Sequence, residues 1–141
     1  MQKLLFCLMA LATLTIVGCE KDDDNYSTDF SGMWGLVAEH GLKFGTETYD
    51  LIFEVLSFEN GRIKCYDTRS YEGYELKNGY LNCSRNDLVS PTTYTIELHK
   101  DKCYVDDDGF IQIKGNTLYW YYDDDKQDYD VYERIKGFTE D

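Results

Sequence analysis

Phe110-Ile111-Gln112-Ile113-Lys114-Gly115-Asn116-Thr117-Leu118-Tyr119-Trp120-Tyr121 is the stretch whose reading decides the fold. Both halves are rich in aliphatic and aromatic residues, and Lys114-Gly115-Asn116 between them supplies the left-handed backbone of a hairpin connection slightly longer than a two-residue turn. In the first half Gln112 and Lys114 alternate with Ile111 and Ile113, the period of two that a strand with one buried face requires. Ile111 and Ile113 are therefore expected to face the core, with Leu118 and Trp120 opposing them. A slip of one residue in register would reverse every such assignment.

The same pattern spreads outward from this hairpin. Runs at 33–39, 49–58, 62–66, 71–77, 80–84, 92–98, 102–105, 110–114, 117–122 and 129–135 are strand-like, and Gly, Asn and Asp clusters separate them. Asn60-Gly61 and Asn78-Gly79 are two-residue hairpin turns, because those residue pairs accept positive φ at little cost. No sustained helical periodicity follows residue 30. Aromatic residues make up 16% of the chain, with 13 Tyr and a single Pro, which is β-sheet composition. The expected fold is all-β: an antiparallel meander of about eight to ten short strands that closes into a barrel, since closure removes exposed edges.

The chain has 141 residues, room for one domain. Its formal net charge is −13, and Lys3 is the one charged residue among the first eighteen, so the remainder is more negative still. Such a surface repels phosphate backbones, so no nucleic-acid partner is expected, and no polybasic patch for anionic lipids is present. Residues 1–18 combine a positive start at Lys3 with an apolar run from Leu4 to Val17 that is too short for an ordinary membrane span; they read as an export signal. Residues 19–28, with Glu20-Lys21-Asp22-Asp23-Asp24-Asn25, are too polar for a core and read as a tether. The folded domain is expected over 29–141.

Two resemblances rest on these residues. Ile16-Val17-Gly18-Cys19 resembles the lipobox of bacterial lipoproteins, which implies that Cys19 becomes the lipidated N-terminus (the palmitate-bearing residue) and anchors the protein to a membrane. The acidic run after it is similar to the export tag of surface lipoproteins of the Bacteroidetes group. That similarity implies an outer-membrane, cell-surface location; an ordinary solvated tether is the other reading. Phe30-Ser31-Gly32-Met33-Trp34, Gly115-Asn116-Thr117-Leu118-Tyr119-Trp120 and Tyr132-Glu133-Arg134-Ile135-Lys136 resemble the start and end of lipocalin-like domains, over residues 30–136. The resemblance implies a lipocalin-like barrel with Trp34 plugging its closed end, and Trp34, Trp120 and Tyr132 as candidate barrel-lining residues. It also implies Arg134 packed across Trp34, beside the plain alternative of a surface arginine.

Chemistry-bearing residues are sparse. His40 and His99 are the only histidines, and neither has a Cys or Asp at ligand spacing, so no metal site and no cofactor are expected. No nucleophile elbow frames any serine, so no catalytic residues are assigned. Asp106-Asp107-Asp108-Gly109 and Asp123-Asp124-Asp125 offer oxygen ligands for calcium, yet Tyr104 and Gly115 stand where an EF-hand loop needs its first and last carboxylates. Acidic hairpin tips that keep the fold soluble are the alternative. Cys65, Cys83 and Cys103 lie in strands, with Cys65 and Cys83 expected to face inward; three buried thiols or one disulfide are both open. The preferred function is a non-enzymatic, lipid-anchored binding module, monomeric, that takes a small apolar or amphipathic ligand. The alternative is an interaction module that contacts a protein or glycan through exposed aromatics.

Overall fold

The computed structural model describes residues 25–46, 48–68 and 72–141. Expectations for the export signal, for Cys19 and for the acidic run through Asp24 lie outside the described residues. Eight strands form a closed antiparallel barrel: β1 (Gly32–Glu39), β4 (Glu54–Glu59), β5 (Arg62–Asp67), β8 (Thr92–His99), β9 (Lys102–Val105), β10 (Phe110–Lys114), β11 (Thr117–Tyr121) and β12 (Tyr129–Ile135). They pair in chain order, and β12 returns to β1 to close the ring, with Ile135 opposite Met33 and Asp130 opposite Glu39. A bulge in β1 near Val37 adjusts the register at this seam. β2 (Leu42–Lys43) extends the β1 edge. β3 (Asp50–Ile52), β6 (Tyr74–Lys77), β7 (Tyr80–Leu81) and β13 (Gly137–Phe138) make a second, small sheet in the order β13-β7-β6-β3.

The turns explain the register. Asn60 and Gly61 have φ of 50° and 76°, and Asn78 and Gly79 have 55° and 88°. Glu59 consequently pairs with Arg62, and Lys77 with Tyr80. The connection at Gly115 is shorter than expected: Lys114 pairs directly with Thr117, leaving a two-residue turn in which Gly115 carries the positive φ of 65°.

Alternation divides the apolar residues between two cores. Trp34, Leu36, Leu56, Ile63, Cys103, Val105, Ile111, Ile113, Leu118, Trp120 and Tyr132 fill the barrel. Opposed pairs Ile111–Trp120 and Ile113–Leu118 match the expected inward face. Val37, Val55 and Ile135, facing outward, meet Ile52, Leu76, Leu81 and Cys83 of the small sheet and its surroundings. At Gly35 a Cβ would sit 3.1 Å from the Ile52 side chain, so the smallest residue lets the small sheet approach the wall. A capped 3₁₀ turn (Arg85–Asp87), with Ser84 and Asp87 exchanging capping hydrogen bonds, leads from this layer back to the barrel.

Three expectations are corrected by this arrangement. The run 49–58 is not one strand: it breaks at Phe53, where the chain passes from the small sheet (β3) to the barrel (β4). The run 80–84 reduces to Tyr80–Leu81, and Cys83 is buried in the outer core rather than inside the barrel. Gln112 faces outward as its alternation demands, yet it is buried, because the wall there is covered. Ser27 donates its backbone N–H to the Ile113 carbonyl at 2.7 Å, and Lys114 and Lys126 approach the Tyr26 ring to 5.9 and 5.1 Å. No disulfide joins Cys65, Cys83 and Cys103 to one another.

Candidate functional site: the open end of the barrel

The connections sort by length onto the two ends of the barrel. Two-residue turns at Asn60-Gly61, Lys100-Asp101 and Gly115-Asn116 close one end. There Trp34 is fully buried, its indole N–H donates to the Ser31 carbonyl at 3.1 Å, and the Arg134 guanidinium lies 4.2 Å from its ring. The contact implied by the lipocalin resemblance is thus present. Arg134 Nε also donates to the Asn116 side-chain oxygen at 3.2 Å.

At the other end stand the long connections 40–53 and 68–91 and the acidic loops 106–109 and 122–128. Inside this open end, aromatic rings converge on Trp120. Tyr94 meets it edge-on at 6.0 Å, Tyr122 stacks at 6.0 Å and Tyr132 tilts against it at 6.4 Å. Trp120 is also fixed by its indole N–H, which donates to the Asp108 carbonyl at 2.6 Å. Alternation places all of these rings on inward positions of β8, β11 and β12 or just beyond their ends.

The phenols face carboxylates. The Tyr132 hydroxyl donates to Glu54 at 2.8 Å, and the Tyr122 hydroxyl donates to Asp130. Burial pushes both phenols upward, and the acceptor carboxylates push them further, so each remains a protonated donor. Asp130 is only 3% exposed. Desolvation raises its pKa, against the opposing pull of the Tyr122 hydroxyl and the His40 backbone N–H. Tyr94, Glu54 and Tyr122 are partly exposed above a buried floor of Trp120, Tyr132 and Asp130. Tyr94 and Tyr122 thus present partly exposed ring surface beside the Glu54 carboxylate, over rings that pack on one another.

Of the three residues named from the sequence, Trp120 and Tyr132 belong to this throat and Trp34 to the opposite, sealed end. Glu39, Glu54, Tyr122 and Asp130 were missed. Their signal was weak, because an acid inside an apolar run, such as Glu54, reads as the solvent-facing member of an alternating pair. His40 was judged by its sequence neighbours, whereas the fold brings acids to it from far along the chain: its Nδ1 contacts Asp128, which raises its pKa through hydrogen bond and charge. His99 stands on the opposite end beside Glu97, at 3.3 Å. Among the described residues the one group with metal-ligand spacing is Glu39, His40 and Asp130, and the acidic tips Asp106–Asp108 and Asp123–Asp125 are exposed.

A half-open groove of about 350 Å³ lies outside the barrel, lined by Met33, Phe58, Tyr66, Arg85 and Leu88 among others. Its lining also includes Ser57 and Glu59, and with the Arg85 guanidinium it is a charged recess. Among the described residues no helix is long and apolar enough to cross a membrane. The chain matches no family model, and no curated protein and no solved structure matches it.

Proposed function

We propose that this chain is a lipid-anchored protein of the bacterial cell envelope, held in the outer membrane through Cys19, whose barrel binds a small amphipathic ligand at its open end. The observation that carries the binding reading is the throat itself. Trp120, Tyr94, Tyr122 and Tyr132 provide ring faces, and Glu54 and Asp130 stand at their hydroxyl ends as acceptors. Binding sites commonly combine such an apolar lining with a few placed polar groups. The acceptors favour a ligand whose polar end donates hydrogen bonds, set against an apolar body on the rings.

The interaction-module alternative rests on the outer aromatic ladder of Tyr104, Phe110, Tyr121, Tyr119 and Tyr129. Much of that ladder is already occupied. Phe110 and Tyr121 are buried, Lys126 lies over the Tyr121 ring, and Tyr26 hydrogen-bonds to Tyr121. The throat is the stronger candidate.

A Trp34→Phe chain leaves Trp120 as the sole indole. Titrating it with a neutral alkyl glycoside and with a long-chain alkylamine should give a saturable change in Trp120 emission. A response that never saturates, or none, overturns the throat reading. The anchor is tested separately: palmitate label should enter the chain in cells and be lost in Cys19→Ala.

A further inference from the structure

We propose that Glu39, His40 and Asp130 form a binding site for one divalent transition-metal ion of the zinc class at the rim of the barrel. One candidate ligand atom from each residue lies within 4.8 Å of the others. A metal drawing three ligands to about 2.0–2.2 Å needs only small rotations from that spacing. The placement follows from the barrel seam, where Glu39 of β1 and Asp130 of β12 are register partners. Two like charges directly opposite each other on a sheet repel, and here one of them is buried. A cation between them removes that repulsion.

His40 supplies the selectivity. It follows the last residue of β1 with a φ of 50°, and its backbone N–H donates to Asp130 at 3.3 Å, which holds the residue beside the acid pair. Asp128 contacts its Nδ1, the kind of carboxylate contact that orients metal-binding imidazoles through one nitrogen and frees the other. His40 also borders a half-open recess of about 230 Å³, with Gly41, Gln127, Asp128 and Tyr129, which leaves room for water on the imidazole side. An imidazole with two carboxylates suits zinc and its neighbours better than calcium or magnesium, which prefer all-oxygen sets. The site shares Asp130 with the throat, where the Tyr122 hydroxyl donates to the same carboxylate, but it does not depend on the throat holding a ligand.

The test is calorimetric titration of the full chain with Zn²⁺ alone, repeated in excess Ca²⁺. His40→Asn removes the imidazole and keeps a side chain that tolerates positive φ, so the turn survives; Asp124→Asn, in an exposed acidic tip, is the control. The expected result is saturable binding that persists in Ca²⁺, falls by at least about tenfold in His40→Asn and is unchanged in Asp124→Asn. Co²⁺ should give a visible d–d band that the His40→Asn chain lacks. Absence of saturable binding, equal affinity in His40→Asn, or displacement by Ca²⁺ overturns the assignment.

Discussion

The two ends of the barrel solve opposite problems with the same strands. At the closed end the chain reverses in two residues, and the large side chain Trp34 is sealed with its indole N–H donated to the Ser31 carbonyl. Glu59 there accepts a hydrogen bond from Ser57 at 2.8 Å and faces Lys64 at 3.2 Å, and these partners hold its carboxyl below the usual range. At the open end the connections are long, and Asp130 is buried, with its pKa pushed the other way by desolvation. Burying an acid beside another costs stability, which here is offset in part by the hydrogen bonds that Asp130 takes from the Tyr122 hydroxyl and the His40 N–H. The closed end is built on apolar burial, and the open end adds an acid pair, one member of it buried, that apolar packing does not require.

The largest expected effect tests the closed end. Trp34→Ala should lower the unfolding free energy by about 3–5 kcal/mol, read from the denaturant midpoint, because it empties a fully buried site. A loss under about 1 kcal/mol would break the contrast between the ends. Next, Tyr132→Phe deletes the hydroxyl that donates to Glu54 and should cost about 1–2 kcal/mol while leaving the ring packing intact. A larger loss would mean that the throat is as structural as the sealed end. Arg134→Met keeps the apolar stem but removes the charge over Trp34, for an expected cost of about 0.5–2 kcal/mol; an unchanged midpoint would show that the guanidinium adds nothing to the seal.

Thiol chemistry sharpens the picture of two filled cores. Burial pushes the Cys83 and Cys103 thiols up to about 12, so at mild alkaline pH both should resist alkylation until denaturant is added, as peptide mapping would show. Labelling of either under native conditions would mean that its core opens readily. The smallest effect is that of Glu59. Its folded pKa lies below its unfolded value of about 4.3, so its contribution is present above that pH and lost as the pH falls through the folded value. Glu59→Gln should slightly flatten the acid limb of the stability curve; a steeper limb would contradict the assigned direction.

Much of the barrel was legible because it is built from hairpins, whose signals are local. Asn60-Gly61, Asn78-Gly79 and the alternation around Ile111 and Ile113 fix turns and faces from neighbouring residues alone. Of the small outer sheet only the Asn78-Gly79 hairpin was legible, because Ile52 and Val55 read as one apolar run although they belong to different sheets. Nothing local records that a chain changes layer at Phe53. The aromatic part of the site was readable at Trp120 and Tyr132, which obey inward alternation. The acids were not, since Glu39 meets Asp130 only through closure of the first strand upon the last. Sequence separation alone hid the cluster around His40, whose partners lie 88 and 90 positions away.

The central claim is that the open end holds a small molecule, and native mass spectrometry tests it most directly. The full chain, extracted in mild detergent from the membranes of the cells that make it, should carry a small-molecule adduct that survives transfer to the gas phase. A chain that stays free of adduct, even after incubation with a total extract of those membranes, would contradict the account.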